Sequence, residues 1–403
     1  MSNKAKFFDF FRQFLTYGGA TLSFSVLLII VVNIIMNGAP LLNFKLIANN
    51  YEAVTYVTDL KEGELPGNYV TDQVFEDNVY YSSKWGIALR DDTDLLGKNV
   101  IFIHYIHPDS PLYVMHNKSI GPEDITLNTD YSIIRIAFDG YPSALSIQGS
   151  ELMIINLDAN DSIREFEFQT PGGGIRGSIL TTLVLIGLTL VFALPIGIGA
   201  SIYLNEYASN NWLNRLLRGF IETLTGVPSI IYGLMGLALF VPMTISLTGA
   251  TGGNIISGAL TLAVIVLPVI IRTTEESLKV VPIDYRLASL ALGANETQTT
   301  FKIVLPNAFP GILTATLLAI GRIIGESAAL VFAIGTAIKD EVHLTDKSTS
   351  LAVHIWAMMT DEPSNVELSN TIALIILIIV LMLNILVKFI SSRFMRRYGV
   401  KKA

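Results

Sequence analysis

Two ionisable residues stand inside an otherwise apolar run. The segment "AIGRIIGESAAL" places Arg322 and Glu326 near the middle of a stretch, 309–338, that reads as a membrane span. An arginine at the centre of such a helix costs about 2.5–3.5 kcal/mol on insertion scales, so it must face protein or water. The four-residue spacing puts Glu326 one turn along the same face, where the two side chains can pair. Arginine before glutamate is the weaker order for helix stability, which makes stability alone a poor reason for keeping both. A guanidinium stays charged and offers a planar fork of donors that suits tetrahedral oxyanions. The carboxylate offsets that charge, and weak, transient binding is what conduction requires. Ser327 adds a neutral donor. Gly321 and Gly325 form a G-x-x-x-G face one step around the helix, where a neighbouring helix can approach closely. A structural salt bridge that locks a bundle is the competing reading.

A second constellation is the polar stretch "LGANETQTTFKIVLPNAFPG", from Leu292 to Gly311, set between apolar runs. In "VPIDYRLASLALG" a proline stands near a helix start and Gly293 at its C′ position. Tyr285, Ala288 and Leu292 share a face, and Ala288, Ser289 and Ala291 are small enough to admit a partner. Asn295 then suits an N-cap, with Gln298 as its capping-box partner. Phe301 and Leu305 share a face at i,i+4 before Pro306, which is expected to end the run. Two short amphipathic helices hinged at Gly293 make a compact knob, within a loop over 272–308. A helix lying flat on the bilayer is the alternative.

The elements that must hold these residues are membrane helices. The chain has 403 residues, 51% hydrophobic and 15% charged, with mean hydropathy +0.53; soluble domains carry about 25% charge. Six spans are expected, near 14–36, 178–204, 220–247, 254–271, 309–338 and 370–390. The first is longer than a signal-peptide core and lacks a clear cleavage site, so it reads as a retained anchor. With both termini inside, the cytoplasm receives Lys4, Lys6, Arg12, Arg215, Arg218, Arg272, Lys279, Arg286 and Lys302, as the positive-inside rule demands.

Four regions follow: 1–39, a cytoplasmic start and first span; 40–172, an extracytoplasmic insert; 173–397, the membrane core; and a cytoplasmic tail, 398–403. The insert holds 20 acidic and 8 basic residues, a net of −12. "NVIFIHYI", "YSIIRIAF", "ALSIQ" and "IREFEF" read as strands and "SELMIINLD" as a short helix, a mixed α/β domain with a faint likeness to a PDZ domain. "PGGGIRG" is a flexible join into the second span.

Other chemistry is excluded or weak. Cysteine is absent, so disulfides and thiolate metal sites are ruled out. His104, His107 and His116 lack metal-ligand spacing and read as packed or surface residues. No G-x-x-x-x-G-K-[ST], G-x-S-x-G or H-E-x-x-H occurs, which argues against nucleotide binding and hydrolysis by this chain. Pro228 and Ser229 read as a kink in the third span, and "NNWLNRLLRGFIETL" as a segment lying along the inner surface. Glu206 and Glu222 are expected near the cytoplasmic interface, where solvation is cheap.

Gly293, with Ile303 ten residues on and then Leu305 and Pro306, resembles the EAA loop of ABC-importer permeases. The family's leading glutamate is replaced by Leu287, followed by Ala288 and Ser289. "LPIGIGASIYLNEYA", "GVPSIIYGLMGL", "VLPVIIRTTEESLKVVP" and "PGILTATLLAIGRIIGESAAL" look like the phosphate-importer permease, in its PstA-type form more than its sister PstC-type. The resemblance covers about 178–397 and not the insert.

It implies an all-α polytopic fold, the six-helix type I importer core, in a non-catalytic subunit. It also implies inorganic phosphate as cargo; another oxyanion such as molybdate or sulfate, or an envelope-sensor role, stays open. The partners implied are a dimer of ATPase subunits that hold ATP and magnesium, a PstC-type permease, an extracytoplasmic phosphate-binding protein and membrane lipids. Nucleic acid is not among them, and this chain binds no cofactor. Arg322 and Glu326 then belong to the anion pathway, with Ser327 beside them. Ala288, Gly293, Ile303, Leu305 and Pro306 belong to the surface that the ATPase grips.

Overall fold

Apolar runs of about 20 residues favour helices that satisfy their own backbone, and the chain builds most of its mass that way. The computed structural model describes residues 3–398 apart from 62, 95–97, 120, 130, 210 and 361–363; the tail beyond 398 lies outside the described residues. Two compact units result, Asn43–Arg176 and the remainder. The chain starts with α1 (Asn3–Gly38), which belongs to the second of these.

The smaller unit opens with α2 (Phe44–Ala48) and carries nine strands. They are β1 (Thr55–Asp59), β2 (Val79–Ser82), β3 (Ile87–Thr93), β4 (Asn99–Ile106), β5 (Val114–Asn117), β6 (Asp124–Thr126), β7 (Ser132–Phe138), β8 (Ala144–Leu145) and β9 (Ile163–Gln169). One antiparallel sheet runs β2-β3-β4-β7-β9-β1-β5-β6, with β8 on β7. Alternation drives it: in β9, Phe166 and Phe168 point inward between polar neighbours, and a register shift opposite Ala137 and Phe138 turns Ile163 inward too. α3 (Ser150–Ala159) covers the core with Met153, Ile154 and Leu157. The buried Trp85 joins that core and donates from Nε1 to the Leu157 carbonyl, 2.9 Å.

This unit is therefore predominantly β rather than evenly mixed. "ALSIQ" yields only the two-residue β8 and then a helical turn, because Gln148 Oε1 accepts the Leu145 N–H and curls the backbone. The three histidines go separate ways. His116 pairs with Asp59 at 2.9 Å, His104 lies edge-on to Phe75, and His107 lies against Tyr69.

The larger unit continues with α4 (Arg176–Ile202), α5 (Trp212–Thr225), α6 (Ser229–Met235), α7 (Val241–Thr248), α8 (Ile255–Val280), α9 (Ile283–Ala291), α10 (Glu296–Thr299), α11 (Leu305–Gly325), α12 (Ala328–Ala333), α13 (Leu351–Thr360) and α14 (Val366–Tyr398). Wide π turns at Tyr203–Tyr207, Gly236–Phe240 and Thr300–Val304 extend or join them. Among the described residues six continuous segments are long and apolar enough to cross a membrane: Phe11–Gly38, Arg176–Tyr207, Ser229–Thr248, Ile255–Val280, Glu296–Gly325 and Val366–Arg393.

Two of these depart from the spans read in the sequence. The third begins at Ser229, not near 220, because Gly226 and Pro228 break the chain and leave α5 as a separate amphipathic helix. The fifth ends at Gly325 instead of running on to 338. At the centre α8 packs on α11, burying Leu262, Val266, Ile270, Ala319 and Ile323. Their approach is tight enough that a Cβ on Gly311 would lie 2.0 Å from Ser277 Oγ.

Candidate functional site: a broken helix and a hinged cytoplasmic loop

Arg322 occupies the last turn of α11, where a cation meets the negative end of the helix. The helix stops after Gly325. Glu326 is extended (φ −81°, ψ 119°), and α12 restarts after Ser327. The expected Arg322–Glu326 pair does not form: among the described residues no carboxylate bonds Arg322, and its buried Nε has no hydrogen-bond partner. An i,i+4 pair needs an unbroken turn, and this turn is the one that breaks. Glu326 is only 8% exposed, and its Oε1 instead accepts the Ala329 N–H at 3.3 Å, which starts α12.

Breaks of this kind survive in membrane helices only where protein or a water-filled cavity covers the freed backbone, and they recur at transporter binding sites. α6 lies against α12, so close that a Cβ on Gly233 would lie 2.7 Å from Ala329 Cα. Ser327 is half-buried at the break. Gly321 and Gly325 are exposed, and a Cβ at either meets nothing within 4 Å. The close-packing face expected there is not used within this chain.

The hinged loop has the local geometry that its residues demand. Pro282 precedes α9, and Gly293 follows it at φ +89°, a conformation that costs an L-residue but not glycine. Asn295 Oδ1 accepts the Gln298 N–H at 2.8 Å, and Gln298 Oε1 accepts the Asn295 N–H at 3.1 Å, completing the capping box. Ser289 and Thr299 hydroxyls meet at 2.9 Å and hold the two arms together.

Pro306 does not end the second arm. The helix runs on from Glu296 to Gly325, because the π turn just before Pro306 widens the spiral where the proline ring would otherwise meet a preceding carbonyl. Ala288 and Gly293 are exposed, whereas Ile303, Leu305 and Pro306 are half-buried. Ile283, Leu287 and Leu290 share one uncovered face of α9, Tyr285 lies on the opposite face, and Leu292 and Phe301 are exposed as well, Leu292 by 90%. Sixteen residues of helix separate Pro306 from Arg322, about 24 Å at 1.5 Å per residue, so any influence between them is mechanical.

Two charged clusters escaped the sequence reading. Glu206, expected near the cytoplasmic interface, is half-buried, its side chain 11% exposed, and is paired with Arg286 at 2.9 Å. Glu275 takes Arg218 and Lys279 together, Lys279 at 2.9 Å, and Arg218 Nη2 also donates to the Leu204 carbonyl at 2.6 Å. Those residues line a recess of about 170 Å3 with Arg272, Glu276 and Glu222. Arg218–Glu275 and Arg286–Glu206 lie 57 and 80 positions apart, so no local pattern marks those two pairs. The one local signal is the i,i+4 spacing of Glu275 and Lys279.

Residues 193–400 match the family of the binding-protein-dependent transport system inner membrane component. The chain belongs to that family, the multi-pass, non-catalytic permeases of ABC importers, whose cargo is handed over by a binding protein and whose ATP is hydrolysed by separate subunits. Among its relatives is the probable ABC transporter permease protein YqgI of Bacillus subtilis, 34% identical over 236 residues, with 55% of this chain and 79% of that one covered. The phosphate transport system permease protein PstA of Yersinia pestis is 35% identical, over 56% of this chain and 74% of the relative. A PstA homolog of Mycoplasma genitalium is 33% identical over 55% of this chain, which spans only 34% of that longer protein. Of solved structures, the inward-facing MetNI methionine ABC transporter matches 55% of this chain and 95% of its own at 23% identity and a TM-score of 0.45.

Proposed function

We propose that the chain is the PstA-type permease of an ATP-driven importer that brings inorganic phosphate into the cytoplasm by alternating access. The observation that carries this reading is Arg322: a guanidinium at a helix break, with its Nε buried and unbonded. A fixed cation with a free donor is suited to an oxyanion in transit. Glu326 and Ser327 beside it limit the net attraction and offer a further hydroxyl. The exposed Gly321–Gly325 face would meet a PstC-type partner. Both termini are cytoplasmic in this reading, and residues 40–172 face outward to an extracytoplasmic phosphate-binding protein. The net charge of −12 there argues for protein docking over direct phosphate capture, since like charges repel.

In the same reading α9 and the turn at Gly293, with Ala288, Ile303, Leu305 and Pro306, enter the ATPase dimer that holds ATP and magnesium. The test is uptake by the complete importer in proteoliposomes, with phosphate, sulfate and molybdate as competing labelled substrates. Phosphate uptake that depends on ATP and survives excess sulfate supports the reading; equal or preferred uptake of sulfate or molybdate refutes it.

A further inference from the structure

α9 has no buried residue of its own, so few attachments hold it to the bundle. One of them is Arg286. Its Nη2 donates to Glu206 Oε1 at 2.9 Å and to the Leu278 carbonyl at 3.0 Å, and its Nη1 donates to the Val281 carbonyl at 2.7 Å. Val281 caps α8, and Leu278 lies in its last turn. Carbonyls there carry the negative end of the dipole, and the Leu278 carbonyl also accepts the Val281 N–H at 3.3 Å. Glu206 sits in the π turn that finishes α4. One guanidinium therefore joins α9 to the ends of both α4 and α8, a reach that a lysine's single nitrogen does not match.

The same π turn is held from its other side. Arg218 of α5 donates to the Leu204 carbonyl and pairs with Glu275 of α8. α5 leads through Pro228 into α6, and α6 lies on α12, whose Ala329 N–H donates to Glu326. Displacement of the loop thus has two routes upward: the continuous helix Glu296–Gly325 toward Arg322, and Arg286–Glu206 into α4, α5 and α6.

We infer that Arg286 is a positioning residue for the transport step, clasping Glu206 so that movement of the loop reaches both sides of the broken helix together. This rests on the proposal that the loop receives the ATPase. The clasp gives this half-buried charge pair a role: a directional, multi-donor link transmits force, whereas an apolar contact slides.

The test uses the complete importer in proteoliposomes and reads phosphate imported per ATP hydrolysed, with ATPase co-purification as a second readout. Arg286→Lys and Glu206→Gln are each expected to keep the ATPase bound and to lower phosphate per ATP by about tenfold, the scale of one lost hydrogen bond to a charged group. The double variant is expected to be no worse than either single change, since coupled partners are not additive. Glu206→Gln is nearly isosteric and carries the test if Arg286→Lys does not accumulate. Unchanged phosphate per ATP, or losses that multiply in the double variant, overturn the clasp. Leu290→Arg, on the exposed face of α9, separates the two ideas. It is expected to release the ATPase. If the ATPase stays bound with normal coupling, the docking reading falls and the clasp with it.

Discussion

Replacing Gly293 tests the hinge on backbone grounds alone. Its φ is +89°, and a Cβ there meets nothing within 4 Å, so no side-chain clash confuses the result. Alanine then costs only the left-handed conformation, about 1–2 kcal/mol. That is a factor of roughly 5–30 in any equilibrium that opens the loop. Asparagine tolerates the conformation better and should lie between glycine and alanine. Proline is worse than either. It forbids positive φ and removes the N–H that donates to the Leu290 carbonyl at 2.9 Å, for a cost of about 3 kcal/mol or more.

Hydrogen exchange is the assay. The Ala294 amide, bonded to the Ser289 carbonyl at 3.2 Å, should exchange roughly 5–30 times faster in Gly293→Ala. Amides in the middle of α8 should be unaffected. Transported phosphate per ATP should fall in the order Gly, Asn, Ala, Pro. Equal exchange and equal coupling in all four proteins would refute the argument that a left-handed hinge shapes this surface.

Further outcomes follow from packing and charge. Gly311→Val should push α11 off α8 at Ser277 and lower stability by about 1–3 kcal/mol, and Ser277→Gly should recover part of the loss in thermal unfolding. Leu287→Glu restores the acidic residue of related loops at an exposed position; it should shift stability by less than about 0.5 kcal/mol, and a larger drop would show that Leu287 is packed. Burial raises the Asp59 pKa, but hydrogen bonds and charge from Lys118 and His116 outweigh it and leave the carboxyl below its ordinary value of 3.8. Its stabilisation is therefore present above pH 3.8 and lost as pH falls through the lower folded value. The Tm gap between wild type and Asp59→Asn should narrow in that window, and a gap that widens would contradict the assignment.

Local rules carried part of the architecture. Asn295, Gln298 and Gly293 specify the loop because caps and left-handed turns depend on a few neighbouring residues. The spans containing Val184, Val266 and Ile376 announce themselves by uninterrupted apolar length. The errors are tertiary. Pro306 reads as a terminator until a π turn makes room for it. Arg322 and Glu326 look like a pair on one face because periodicity assumes a helix that in fact ends between them at Gly325. The Arg286–Glu206 clasp joins residues 80 positions apart, and each alone looks like an ordinary surface charge. Neither a helix break nor a distant ion pair leaves a periodic trace.

The most direct measurement is ATP-driven uptake of labelled phosphate by proteoliposomes holding the complete importer, with Arg322→Ala and Arg322→Lys beside wild type. Losing the fork of donors to a moving anion should reduce uptake by about tenfold to a hundredfold in the alanine protein, on the scale of a charged hydrogen bond. Lysine should recover only part of it, with ATPase binding unchanged in both. Wild-type uptake in Arg322→Ala would contradict the account.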